Sequence, residues 1–286
     1  MNLIINFTPT GMIPTKEMTP HVPISVNEIV EDVHQAIEKG ITMVHLHARD
    51  ETGKPTYKNE VYGKIIEGVR KYSKDLIVCV SLSGRGIKEF EHRANPLQLE
   101  GDLKPDMGSL TLSSLNFNKT ESVNSPEMIQ KLAEEMKNKG ILPELEAFDA
   151  GMINYAKYLE KRGLLEAPHY FNLLLGNVAC AQADLLHAGL MIRDLPENSY
   201  WSLAGIGDTQ LFMNSVAIAA NGGVRVGLED NIFFDKQRKK LAKNIDLLNR
   251  IHELAVANER EVMSPSELRK ILNLNPGNGK YGRLNN

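Results

Sequence analysis

The sequence is poor in the features that mark most specialised protein classes. Cysteine occurs only twice in 286 residues, at Cys79 and Cys180. That is too few for a disulfide framework or a thiolate cluster, and it suits a reducing compartment. No apolar run reaches membrane-spanning length, and the N-terminus lacks a basic lead followed by an apolar stretch. Both absences argue against a membrane span or a secretory signal and point to the cytoplasm. Charge excess is missing too: 33 Lys and Arg against 36 Asp and Glu leave −3, which speaks against nucleic acid or a membrane surface as partner. There is no glycine-rich dinucleotide turn after the first strand-like segment, no Walker loop, and no Ser-His-Asp or Cys-His signature. What remains is an ordinary globular composition, 42% hydrophobic and 24% charged.

The dominant pattern is an alternation of strand-like and helix-like segments. Strands are expected at 3–8, 41–47, 76–83, 107–112, 143–148, 168–175, 200–206 and 224–229. Helices are expected at 26–39, 59–72, 126–139, 150–163, 180–190, 209–221 and, as one long element, 236–258. Gly40, Gly140 and Gly163 sit where helices stop; Ser25, Asn27 and Pro126 sit where they start. About eight β/α units predict a single TIM barrel over 1–286. A doubly wound open sheet competes, but the alternation runs to the end without a dinucleotide turn. The stretch 84–105 is too long for a simple loop, and the polar segment 277–286 reads as a frayed tail or an oligomerisation arm.

Strand parity shows what would line the barrel. In the run from Ile41 to Asp50, His45 and His47 share one face, about 6.7 Å apart along the strand, and can converge on one metal ion. The same alternation turns Arg225, Gly227 and Glu229 inward on the last strand, Glu144 and Glu146 on the fifth, Cys79, Ser81 and Ser83 on the third, and Ser109 and Thr111 on the fourth. Unpartnered polar groups in a barrel interior cost a few kcal/mol each, on the order of 2–7. Their grouping towards strand C-terminal ends therefore predicts an active site. Two imidazoles and a carboxylate make a catalytic zinc set with an open position, and iron(II) uses the same set. Glu229 is the first choice of carboxylate, with Glu144 and Glu146 as rivals.

Four segments carry a family resemblance. His45-Leu-His-Ala-Arg-Asp-Glu-Thr-Gly, Pro105-Asp-Met-Gly-Ser-Leu-Thr-Leu, Pro143-Glu-Leu-Glu-Ala-Phe-Asp and Gly222-Gly-Val-Arg-Val-Gly-Leu-Glu-Asp-Asn resemble the β-keto acid cleavage enzymes. The similarity continues through Ala204-Gly-Ile-Gly and Ser264-Pro-Ser-Glu-Leu-Arg. The resemblance implies a zinc-dependent TIM barrel, usually a homotetramer, that reacts a β-keto acid with acetyl-CoA to give acetoacetate and a new acyl-CoA. By motif, His45, His47 and Glu229 would hold zinc, and Arg225 and Asp230 would be catalytic. Ser81 or Ser83 would orient the reacting groups, Ser109 would contact substrate, and Glu144 or Glu146 would support the arginine or contact substrate. Members acting on an aminated substrate are expected to carry an acidic residue just after the first strand. Pro9-Thr-Gly-Met-Ile-Pro has none, so an amino group on the substrate is not supported.

The chemistry implied is a Claisen condensation followed by its reverse, the metal acting as Lewis acid. Arginine is a poor base at its ordinary pKa above about 12, so a water with Arg225 as electrostatic partner is the alternative proton acceptor. For the CoA phosphates, Gly205, Gly207, Gly222 and Gly223 lie near strands seven and eight, where TIM barrels often bind phosphate. A zinc-dependent hydrolase and a non-catalytic zinc-dependent binding protein are the competing functions. Plainer roles are expected elsewhere: an Arg49–Asp50 salt bridge, packing for Cys79, and core or interface positions for Trp201 and the methionines.

Overall fold

The computed structural model describes residues 1–284. Eight parallel strands close into a barrel in sequential order. They are β1 (Ile5–Phe7), β2 (Met43–Leu46), β3 (Ile77–Val80), β4 (Met107–Thr111), β5 (Leu142–Ala147), β6 (His169–Leu175), β7 (Ser199–Gly205) and β8 (Gly223–Val226). Every one falls within a residue or two of its expected start. The alternation carries this: Val44, Leu46, Val78, Val80, Leu110, Leu145, Ala147, Val224 and Val226 turn outward and join one apolar shell with the helices. The TIM barrel expectation holds, and the open sheet does not.

The surrounding helices are α1 (Val26–Lys39), α2 (Asn59–Tyr72), α3 (Pro126–Lys139), α4 (Ala150–Lys161), α5 (Leu185–Arg193), α6 (Gln210–Ala219) and α7 (Asn244–Ala257). Ser25 starts α1 through a capping box with Glu28, and Ser125, followed by Pro126, caps α3. Helix α5 begins five residues later than expected, because Asp184 accepts the amide of His187 and sets the cap there. Helix α7 starts eight residues late for another reason. Residues 231–243 form a tight hairpin, bridged at Phe233 and Leu241, with the Asp235 carboxylate taking the amides of Lys239 and Lys240. Between β3 and β4 a helical turn (Phe90–Arg93) and two 3₁₀ turns (Asn95–Gln98 and Gly101–Leu103) stand in place of a full helix. That accounts for the length of 84–105.

The barrel interior is layered. Ile4, Met43, Ile77, Met107, Leu142 and Tyr170 make an apolar lower layer, closed from below by α8 (Pro265–Ile271) through Leu268 and by Leu272 and Leu274 just after it. The plug is locked by Arg269, whose two terminal nitrogens each lie 2.8 Å from the Asp106 carboxylate, both residues fully buried. Residues 277–284 fold back onto this same end rather than reaching outward: Gly282 donates to Asp106, Arg283 pairs its amide with Gly140, and Arg70 lies over the buried Tyr281 ring. Residues 285 and 286 of the expected tail lie outside the described residues. Among the described residues no helix is long and apolar enough to cross a membrane.

Candidate active site

The polar layer lies above the apolar one, at the C-terminal ends of the strands. Strand β2 carries His45, His47 follows one residue past its end, and register pairs His45 with Cys79 on β3. His45 Nε2 and His47 Nε2 are 3.2 Å apart, and His47 Nε2 is 3.1 Å from Glu229 Oε1. Glu229 does not sit on the last strand as expected. Strand β8 ends at Val226, and Glu229 comes from the turn that follows. That turn is clamped on several sides. A Cβ on Gly227 would lie 2.0 Å from Thr8 O, so only glycine lets the chain pass β1 so closely. Asn244 Oδ1 accepts the amide of Leu228, Gln210 donates to Gly227 O, and Gly207 donates its amide to Asp230 O.

The loop after β1 presses on the same carboxylate. Gly11 has φ +67, and a Cβ there would stand 2.6 Å from Glu229 Cγ. Arg49 fastens this loop by donating to Gly11 O at 2.6 Å and Pro14 O at 3.1 Å. The expected Arg49–Asp50 salt bridge is therefore absent; Asp50 instead accepts from Thr52 and the amide of Lys54. The two strand-five carboxylates divide their work. Glu144 Oε2 accepts from His45 Nδ1 at 2.5 Å and from Cys79 Sγ at 3.2 Å, while Oε1 accepts from Asn6 at 2.7 Å. Glu146, two residues on, accepts from Thr111 at 2.7 Å and stands 3.6 Å from Arg225 Nη1.

Arg225 is the hub of the polar layer. Its Nε lies 3.0 Å from Asp230 Oδ2 and its Nη2 lies 2.6 Å from Glu229 Oε1, all three side chains largely buried. Burial alone would lower its pKa, but Asp230, Glu229, Glu146 and Glu144 hold it well above the usual range. Arg225 is thus a fixed cation, which counts against its service as a base. Burial opposes ionisation of Glu229, yet Arg225, His47 and His45 hold it well below the ordinary carboxylate range. Glu146 and Asp230 are raised, in both cases because burial outweighs Arg225. Burial would lower His45, but the charges of Glu144 and Glu229 push it up to about 9. Burial would raise Glu144, and His45 brings it down to about 2.

These donors fit a divalent cation. The 3.2 and 3.1 Å separations approach the edge of a tetrahedron with metal–nitrogen bonds of about 2.0–2.1 Å. Glu229 Oε2 is buried without a partner. Glu144 on Nδ1 directs the lone pair of His45 to Nε2, the arrangement by which carboxylates orient metal-bound imidazoles. A second set, His45, Cys79 and Glu144, has its ligand atoms equally close. It is closed off from the cavity, and burial, with Glu144 adding to it, pushes the Cys79 thiol well up, so Cys79 stays a thiol that donates to Glu144.

A cavity of about 500 Å³ opens above, lined by His47, Ser81, Ser83, Thr111, Glu146, Arg225, Glu229 and Asp230 among others. Ser109 is not on this lining; its hydroxyl accepts the Leu82 amide within the barrel wall. Of the glycines expected near the phosphates, Gly207 borders the cavity. Gly222, just before β8, and Gly223, its first residue, lie at the opposite end, where Trp201 and Ser202 leave no room for a Cβ. Strand parity alone could not reach Met12, Ile13, Pro14 and Met18, which form an apolar wall from the loop after β1.

The fold and this polar layer define a (β/α)8-barrel enzyme with its site at the strand C-terminal ends. A family model described as beta-keto acid cleavage enzyme matches residues 2–274. The chain belongs to that family and is an enzyme, a carbon–carbon-cleaving acyltransferase of β-keto acids. It is 38% identical to a 3-keto-5-aminohexanoate cleavage enzyme of Fusobacterium nucleatum, over 95% of this chain and 98% of that one. A 3-oxoadipate:acetyl-CoA acetyltransferase of Cupriavidus necator is 34% identical over 95% and 94%. Among solved structures, apo ObcA superposes with a TM-score of 0.79 at 19% identity, covering 88% of this chain; the chain spans 65% of ObcA's length. A truncated 3-deoxy-D-arabino-heptulosonate 7-phosphate synthase of Thermotoga maritima follows at 0.54 and 13%, covering 91% and 89%. Both likenesses concern the fold alone.

Proposed function

We propose that the enzyme condenses a 3-oxo acid with acetyl-CoA and then cleaves the product to acetoacetate and a new acyl-CoA, with zinc held by His45, His47 and Glu229. The observation that carries this reading is the convergence of those three side chains beside a cavity that His47, Glu229 and Arg225 line, with the buried Arg225 Nη1 making no hydrogen bond of its own. When bound, the metal supplies a Lewis acid for the keto acid's oxygens, without redox chemistry.

The residues around it divide the remaining tasks. Arg225 Nη1 donates to the oxygen that gains negative charge, and three carboxylates keep it oriented and protonated. Asp230, held beside Arg225 on the cavity lining, takes the proton from the carbon between carboxylate and ketone; burial raises its proton affinity. The carbanion then attacks the thioester carbonyl and the CoA thiolate leaves. That thiolate attacks the original ketone, the bond between ketone carbon and α-carbon breaks to leave the new acyl-CoA, and the departing α-carbanion takes the proton back from Asp230 to give acetoacetate. Ser81 and Ser83 line the cavity and offer hydroxyls to the substrate carboxylate. Glu146, held by Thr111, sets the guanidinium plane. Met12, Ile13, Pro14 and Met18 favour an acid with an uncharged side chain over an aminated one.

Exposed Leu185, Leu186 and Phe212 on neighbouring helices α5 and α6 support burial of that face in a homotetramer. The two free cysteines fit a cytoplasmic enzyme. A panel of 3-oxo acids, incubated with acetyl-CoA and the zinc-loaded protein, should release acetoacetate and a new thioester in equal amounts. Turnover of the acids without CoA would overturn the reading in favour of a hydrolase.

A further inference from the structure

The segment expected to begin the last barrel helix is instead a hairpin, and its composition departs from the rest of the chain. From Asp235 to Lys243 it carries Lys236, Arg238, Lys239, Lys240 and Lys243 against Asp235 alone, in a protein of net charge −3. Asp235 is occupied by two backbone amides, so it neutralises none of them directly. Among the described residues these five cations make no ion pair with a carboxylate, and residues 236–240 are exposed.

The hairpin is held firmly. Phe234 donates its amide to Lys240 O at 2.8 Å, Ala242 to Ile232 O at 2.9 Å, and Arg250 anchors Phe234 O at 2.7 Å. Arg238 is held over the Phe233 ring at 4.8 Å, and both residues line the catalytic cavity. Arg85, also on the lining, lies 3.5 Å over Phe117 and likewise makes no ion pair among the described residues. The mouth of the site therefore presents cations without ion-pair partners, Arg238 facing solvent and Arg85 half-buried.

We infer that this hairpin, led by Arg238, is the landing surface for the phosphate groups of the acyl-CoA. The inference rests on the acetyl-CoA reading above. A cavity of about 500 Å³ suits the keto acid and the acyl end of the thioester, and leaves the nucleotide to rest on the rim. The 3′-phosphate and pyrophosphate concentrate several negative charges at that end, and arginine and lysine beside a low-dielectric mouth attract them. Phosphate recognition is thus assigned to side-chain cations after β8, while Gly222 and Gly223 serve packing at the other end.

The test replaces exposed residues of the hairpin, Arg238 at the cavity rim and Lys239 beside it. Arg238→Glu, and Arg238→Glu with Lys239→Glu, should raise KM for acetyl-CoA about tenfold or more, several times further than any change in kcat or in KM for the 3-oxo acid. Arg238→Lys should recover most of the loss. Acetyl-3′-dephospho-CoA should be a poor substrate of the native enzyme and less affected by the variants. Titration calorimetry with CoA separates this inference from the activity. Native CoA binding that is lost in the double variant supports the hairpin even if no 3-oxo acid turns over. Turnover with unchanged acetyl-CoA KM in the variants overturns the hairpin and leaves the reaction standing. A rise confined to KM for the 3-oxo acid also overturns it, assigning the cations to a distal carboxylate of that substrate. Absence of both turnover and CoA binding overturns both.

Discussion

Replacing Glu144 by glutamine removes one buried charge and almost no volume. In the native protein its oxygens accept from His45 Nδ1, Cys79 Sγ and Asn6 Nδ2. An amide cannot accept at both ends, but Asn6 Oδ1 and Asn172 Nδ2 are buried without partners. If Asn6 and Asn172 flip, Asn6 can accept from the new NH2 group, so the variant keeps its hydrogen bonds and should fold. What it loses is the negative charge that orients His45 and raises its basicity. Loss of such a carboxylate partner typically weakens metal binding by about 10–100-fold, or roughly 1.4–2.7 kcal/mol. Competition with a chromophoric zinc chelator measures this directly, and circular dichroism checks the fold. Glu146→Gln is the internal control: one strand repeat further on, it faces Arg225 and not an imidazole, so zinc affinity should stay within about twofold while turnover falls. Equal zinc affinity in native and Glu144→Gln proteins, with the fold intact, would refute the assignment of His45 Nε2 as a ligand.

Arg225→Lys keeps the charge but loses the fork that spans Glu229 and Asp230; bound metal should persist while kcat falls about 10²–10³-fold, and near-native kcat would reassign the residue. Arg269→Ala leaves the buried Asp106 carboxylate with the Val78 and Gly282 amides and with Arg70 at 3.8 Å, which should cost about 3 kcal/mol in denaturant unfolding; a loss under about 1 kcal/mol would contradict the plug. Asp32, beside Asn244, is pushed up to about 6, chiefly by burial. The folded state therefore holds this proton more tightly than the unfolded one, so the group's stabilising contribution declines as pH rises from about 4 to 6. Asp32→Asn should then raise stability at pH 7.5 by at most about 3 kcal/mol and change little at pH 4, as read by thermal melts at the two pH values. A loss at pH 7.5 would refute the sign.

Much of the barrel was legible because a parallel strand buried on both sides must alternate its faces between the helices and the interior. That rule brought out the inward set on β2, β3, β4, β5 and β8 and drew attention to His45, His47, Glu144, Glu146 and Arg225. Local chemistry fixed several helix ends, through Ser25 with Glu28 and Ser125 with Pro126. Periodicity failed where the chain stopped being periodic. The 236–243 segment has cations too densely placed to show a helical face, and a side-chain cap at Asp235 bends it into a hairpin.

By itself, the order of residues determined the barrel, its polar interior face and the family to which the chain belongs, because each depends on patterns a few residues long or on motifs kept in sequence. Only the tertiary structure could decide that Glu144 serves His45 while Glu146 faces Arg225, that Arg49 ties down the loop after β1, that Glu229 arrives from a turn, and that Gly222 lies at the wrong end for a phosphate. Those outcomes hang on contacts between segments tens to hundreds of residues apart. Alternation says which face a side chain takes, but a hydrogen-bond partner is chosen by distance and angle in three dimensions, and no local pattern encodes those.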